Sequence, residues 1–153
     1  MRPTLNVLAA VGFLGAAQAF AAEPALVVKQ SKLGVKETID SLAAALETKG
    51  VKVVARVDHA AGAKTAGMEL RPTEVIIFGN PKLGTPLMQA DQRAGLDLPL
   101  KVLAWQDADG KVFVTYTDPA TLAARYRLDG KDDVLNAMAQ ALDAFSTAAA
   151  AGK

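Results

Sequence analysis

The sequence predicts an α+β domain: an antiparallel sheet of about five strands with helices packed on one face, in the order β-α-β-β-(short α)-β-β-α. Two observations predict it. Successive β-prone runs are joined by tight turns, which favours antiparallel pairing of neighbours. Helical periodicity is confined to one stripe after the first strand, a short central segment and the C-terminal region.

Each element follows from its residues. Ala25 to Lys29 is a short strand centred on Leu26-Val27-Val28, and Ser31 to Gly34 breaks it. From Val35 to Lys49 the residues Val35, Ile39, Leu42 and Leu46 recur at helical spacing. Glu37 and Asp40 lie near the positive end of that helix, Lys49 near the negative end, and Gly50 is placed to close it. Val51 to Asp58 alternates as a strand, with Val51, Val53, Ala55 and Val57 on one face and Lys52, Arg56 and Asp58 on the other. Ala60 to Gly67 reads as a loop or a single loose helical turn. Val75 to Phe78 is a strand apolar on both faces that runs into the turn Gly79-Asn-Pro-Lys-Leu-Gly84.

Thr85 as N-cap and Pro86 at the first helical position open a short helix that Gly95 ends. Leu98 to Gln106 and Val112 to Thr117 flank Asp107-Ala-Asp-Gly110, a hairpin signal. A loop of two or four residues puts Leu103, Trp105, Val112, Val114 and Tyr116 on one face, and Val102, Ala104 and Phe113 on the other. Asp118-Pro119 repeats the capping device for a helix to about Arg127. The last helix, from about Lys131, carries Leu135, Met138, Leu142 and Phe145 at helical spacing. Because Val75–Phe78 and the hairpin are apolar on both faces, something must cover the second sheet face. A partner subunit is expected there, or else the Pro86 helix and the Ala60–Gly67 loop.

The 153 residues make one domain, 51% apolar and 22% charged, a composition that can build a core and argues against disorder. Arg2, the apolar run Leu5 to Ala17 and the small residues around Ala19 and Ala21 read as a signal peptide over 1–21. The expected division is therefore a signal peptide (1–21), a single domain (22–147) and a loose Ala-rich tail (148–153) in a periplasmic or secreted protein. Loss of Arg2 from the 17 basic residues leaves 16 against 16 acidic ones. A neutral chain lacks the basic excess that binds nucleic acid or a membrane surface. No cysteine is present, which excludes disulfides and thiolate chemistry.

Several segments carry a family resemblance: Asp58-His59-Ala60-Ala61-Gly62-Ala63, Leu70-Arg71-Pro72-Thr73-Glu74, and Phe78-Gly79-Asn80-Pro81-Lys82 continuing through Gly84-Thr85-Pro86-Leu87-Met88-Gln89. With Gly95–Lys101, the Trp105–Gly110 hairpin and Tyr116-x-Asp118-Pro119, they resemble the bacterial domain-of-unknown-function 302 family over nearly all of 25–147. Gln106 stands where an acid is common, and Phe113 where a Trp is common. The resemblance implies a β-α-β4-α fold similar to the TATA-box-binding-protein topology, often dimeric. It implies no established activity.

Chemical signals are thin. His59 is the sole histidine and follows Asp58; an imidazole can act as a base or a ligand. Its nearest acids in sequence are Asp58, Glu69 and Glu74, and no spacing of a metal site or cofactor motif exists. In the Gly79–Thr85 turn, Lys82 offers a point charge and the backbone N–H groups after Thr85 can receive a carboxylate or phosphate. The expected function is therefore non-enzymatic: a binding or accessory protein, homodimeric, holding a small anionic ligand with His59, Glu69, Asn80, Lys82 and Thr85. Two alternatives stand beside it. One is a hydrolase- or lyase-like enzyme using His59 as acid/base with Lys82. The other is an interaction module acting through its apolar sheet face.

Overall fold

A computed structural model describes residues 26–152, so the expected signal peptide lies outside the described residues. The chain runs β1 (Leu26–Ser31), α1 (Val35–Thr48), β2 (Lys52–Asp58), α2 (His59–Thr65), β3 (Thr73–Gly79), α3 (Pro81–Ala90), β4 (Leu100–Gln106), β5 (Val112–Thr117), α4 (Leu122–Arg125) and α5 (Asp132–Ala151). The five strands form one sheet in the order β1-β5-β4-β3-β2, every neighbouring pair antiparallel. The predicted α+β class and helix-on-one-face architecture stand.

β1 and β2 are joined by α1 yet occupy opposite edges. Four inter-strand spacings amount to about 19 Å, and the 14 residues of α1 rise about 21 Å. The helix is thus long enough to cross the sheet, and it packs on β2, β3, β4 and β5 as it does so. α5 lies beside it against β1 and β5. Ile39, Leu42 and Leu46 bury fully against Ile76, Phe78, Val102, Val114 and Tyr116. A second, smaller core gathers Leu87, Ala94, Leu122, Leu128, Leu135 and Met138, and Leu100 packs against both.

Two parity errors separate expectation from structure. In β2 the register shifts between Val53 and Ala55. A bulged residue reverses which face the following side chains take. Arg56 and Asp58 therefore pair with Ile76 and Glu74 on the helix side, while Val57 pairs with Val75 on the open side. The hairpin connection has five residues, 107–111, closed by Asp107 N donating to Lys111 O, with Gly110 at φ +80°. An odd loop pairs Trp105 with Phe113 and Leu103 with Thr115, so these face away from the helices while Val112, Val114 and Tyr116 face toward them.

Three further expectations fail for local reasons. Residues 59–65 form a full helix, α2, because the Asp58 carboxylate caps it by accepting from Ala61 N at 2.8 Å. α3 starts at Pro81, not at Pro86, because Asn80 is the better cap and Pro81 already holds the first helical position. The Ala-rich end is no loose tail: α5 reaches Ala151, Ala149 is fully buried, and Lys32 N donates to Ala150 O at 2.9 Å. Alanine is the strongest helix former, and its small side chain allows this close approach.

The second sheet face is uncovered. Leu26, Val28 and Val57 are exposed on it, and Val75, Ile77, Leu103, Trp105 and Phe113 are half-buried. α3 packs on α5 and the 3-10 turn at Gln92–Leu96, and α2 packs on the edge of β3.

Candidate functional site

β3 is apolar through Phe78 and ends at Gly79, where the chain turns into α3. A Cβ on Gly79 would lie 3.2 Å from the Pro99 Cβ, so glycine there lets the Leu98–Leu100 segment close in. Gly84 and Ala141 are small residues on α3 and α5, and both line the space between these helices. The result is an apolar cavity of about 240 Å³ between the ends of β2 and β3, α3, Leu98–Leu100 and α5. Buried Phe78 and Met138 form its inner wall; exposed Lys52, Asn80, Pro81 and Pro99 form its rim. A closed void of this volume would cost up to about 6 kcal/mol at ~24 cal/mol per Å³. Opening to solvent at the rim lowers that cost and leaves the cavity accessible from outside.

The turn that was expected to donate to an anion has spent its donors. Pro81 has no N–H. Lys82 N donates to Asn80 Oδ1 at 2.9 Å, and Leu83 N and Gly84 N donate to Asn80 O at 2.9 and 3.0 Å. Lys82 and Thr85 are exposed on α3 and do not line the cavity. Asn80 does, with its Oδ1 engaged in the cap.

His59 and Glu69 lie elsewhere. Asp58 pairs with Glu74 and Lys52 pairs with Gly79, at opposite ends of the β2–β3 ladder. Six residues of strand separate those ends by about 20 Å. His59 follows Asp58 at one end, and Asn80 and Lys82 follow Gly79 at the other. Glu69 lines a separate concavity with Asp58, Lys64 and Arg71. No substrate-sized molecule bridges His59 and Lys82, which removes the shared acid/base route. The Asp58 carboxylate caps α2, and Glu74 binds Arg56 Nε at 2.8 Å. Among the described residues no three His, Cys, Asp or Glu side chains cluster to hold a metal.

The rest of the cavity wall was not singled out from sequence. Met138, Ala141 and Phe145 recur on α5 at a spacing that reads as ordinary core. Lys52 reads as the solvated side of a strand. The Leu98–Leu100 wall is held by Asp97, which accepts from the Tyr126 hydroxyl at 2.8 Å and from Arg125 Nη1 at 3.0 Å. Burial pushes the Asp97 carboxyl up, but these two donors, with the Arg125 and Lys101 charges, hold it below the usual carboxylate value. Asp91, whose carboxylate binds Arg93 and the Arg127 backbone N–H, is likewise depressed, chiefly by the Arg93 guanidinium.

Such a sheet, with two long helices on one face and an apolar cleft at one end, defines a two-layer α+β domain. The family model described as "Domain of unknown function DUF302" matches residues 27–145, and the chain belongs to that family. The crystal structure of an uncharacterized conserved DUF302 protein from Bacillus stearothermophilus shares the fold. Its TM-score is 0.73 at 18% identity, over 81% of this chain and 97% of that one. The chain is also 53% identical over 109 residues to a protein named fluoride-specific ion channel FluC 1 of Brucella suis biovar 1 (strain 1330). The same identity holds for FluC 1 of Brucella abortus biovar 1 (strain 9-941). Those matches take in 71% of this chain but only 43% and 40% of the two relatives. Among the described residues no helix is long and apolar enough to cross a membrane.

Proposed function

We propose that this chain is an exported, non-enzymatic binding protein that holds a small ligand in the apolar cavity behind Asn80 and works as a homodimer. The cavity at the Phe78–Gly84 junction carries the reading, because the backbone amides of Lys82, Leu83 and Gly84 are bonded within the turn and His59 stands at the far end of the sheet. The ligand is therefore gripped by its apolar body. Thermal unfolding against a panel of small apolar compounds and their acids tests it. A ligand at 100 times its dissociation constant adds about 2.7 kcal/mol of stability. A panel with no stabilising member would remove the reading.

The comparison with the Brucella proteins favours a second role alongside binding. Identity of 53% confined to about two-fifths of proteins named as channels, together with a domain built as a soluble-type two-layer fold, supports a module appended to the membrane part of those proteins. By analogy, the present chain serves a membrane transport protein from outside the bilayer. Fluoride flux through the Brucella suis protein, with and without its matching segment, checks this. A changed flux or affinity on deletion is expected; identical behaviour would remove the accessory role.

A further inference from the structure

This inference rests on the cavity being a ligand site and names the class of ligand. We infer that the cavity takes a monocarboxylate with a hydrocarbon body of about ten carbon atoms, the chain lying toward Phe78 and Met138 and the carboxylate at the rim beside Lys52 and Asn80. The lining is graded: the buried residues are wholly apolar, and the polar side chains, Lys52 and Asn80, both belong to the exposed rim. An amphiphile with a single polar end fits that gradient.

The charge at the rim selects the sign of that end. Lys52 is the one charged residue lining the cavity, and no acidic residue lines it. The ten-residue helix α3 presents its positive end at Asn80–Pro81 beside the same rim. Because the α3 amides are already bonded, a doubly charged phosphate would find too few donors; one lysine matches one carboxylate. Size follows from comparison with a dry apolar cavity of about 150 Å³ that admits benzene. The present volume of about 240 Å³ is about 1.6 times larger and takes about ten carbons by the same scaling.

The test is calorimetric titration of the purified protein with decanoate below its micelle concentration, with decanol and with hexanoate. Decanoate is expected to saturate at one per chain, and hexanoate to bind about two-hundredfold more weakly for want of four methylenes. Lys52→Ala should weaken decanoate about tenfold and leave decanol unchanged. Ala141→Phe and Gly84→Leu, which fill the cavity from opposite helices, should each abolish decanoate binding; whichever of the two keeps the wild-type circular dichroism is the one read. Equal binding of decanoate by wild type and Lys52→Ala overturns the carboxylate assignment while leaving the cavity as a ligand site. Undiminished binding to a folded filling variant overturns the location. Failure of decanoate where another panel compound binds overturns this inference alone, whereas failure of every compound overturns the ligand-site reading as well.

Discussion

The Asp97 carboxylate ties two pieces of chain together, and its chemistry sets an observable pH dependence. It accepts from Tyr126 and Arg125 just ahead of the Leu98–Leu100 wall of the cavity. Its folded pKa lies below that of the unfolded chain, so its stabilisation is fully present above the ordinary carboxylate range and is lost as pH falls through the folded value. Asp97→Asn should cost about 1 kcal/mol at pH 7, a figure reduced from that of a buried charged hydrogen bond because the side chain is partly exposed. Urea unfolding of both proteins from pH 7 to pH 3 checks the sign: the gap should close as pH drops below about 4. A gap that stays constant over that range would show that Asp97 acts through shape and not through charge. Arg56 makes a similar clamp on the other side of the molecule, binding Glu74 and Asp40 at once. Arg56 reads from sequence as a solvated strand residue, and only the bulge at Val54 turns it beneath the sheet.

At the scale of elements, the helices and strands were legible because burial imposes its period on the chain. Val35, Ile39, Leu42 and Leu46 recur at helical spacing because one side of α1 lies on the sheet, and all four are buried. What was not legible were the junctions. Two X-Pro pairs, Asn80-Pro81 and Thr85-Pro86, both carry the signature of a helix start, and composition does not choose between them. The choice is made by β3, whose pairing with β2 and β4 ends at Phe78–Gly79 and leaves Asn80 as the first residue free to cap. Facing was lost at the two places where the count of residues is odd, the Val54 bulge and the Asp107–Lys111 turn. A single extra residue exchanges the two faces of everything after it. The candidate site was half legible for the same reason. The Phe78–Gly84 stretch stood out, but its grouping with His59 assumed that a loop at one end of a strand meets a turn at the other. The α5 wall was hidden because a residue lining a cavity and one filling a core obey the same spacing.

For the whole molecule, the decisive feature is the sheet face left bare. Leu103 and Trp105 lie on the central strand β4, flanked by Val75 and Ile77 on β3 and Phe113 on β5, with Leu26, Val28 and Val57 at the edges. Trp105 stacks on Phe113 with ring centroids 5.1 Å apart and donates to Thr115 Oγ1 at 2.8 Å, which ties up the one polar atom of the indole. Five strands at about 4.8 Å and about 20 Å of strand length give a face of about 500 Å². Gln30, Thr73, Lys101 and Thr115 share that face, so its apolar patch is smaller than the whole and is of the few hundred Å² that often mark an interaction surface. In the proposed homodimer a two-fold pairing, sheet on sheet at about 10 Å, would bring each copy's central strand onto the other's and bury this patch against itself. The predicted dimer is measurable in two ways. Sedimentation should give twice the chain mass at micromolar concentration, and Leu103→Lys at the centre should yield a folded monomer, while Val28→Lys at the edge should weaken association more mildly. Trp105 is the single tryptophan, so its emission should move to longer wavelength as the dimer is diluted apart. A wild-type chain that sediments as a monomer, with emission unmoved by Leu103→Lys or dilution, would mean that this face meets a different molecule. The cavity, which opens at the strand ends beside Lys52 and Asn80 and draws its inner wall from α5, would keep its ligand in either state.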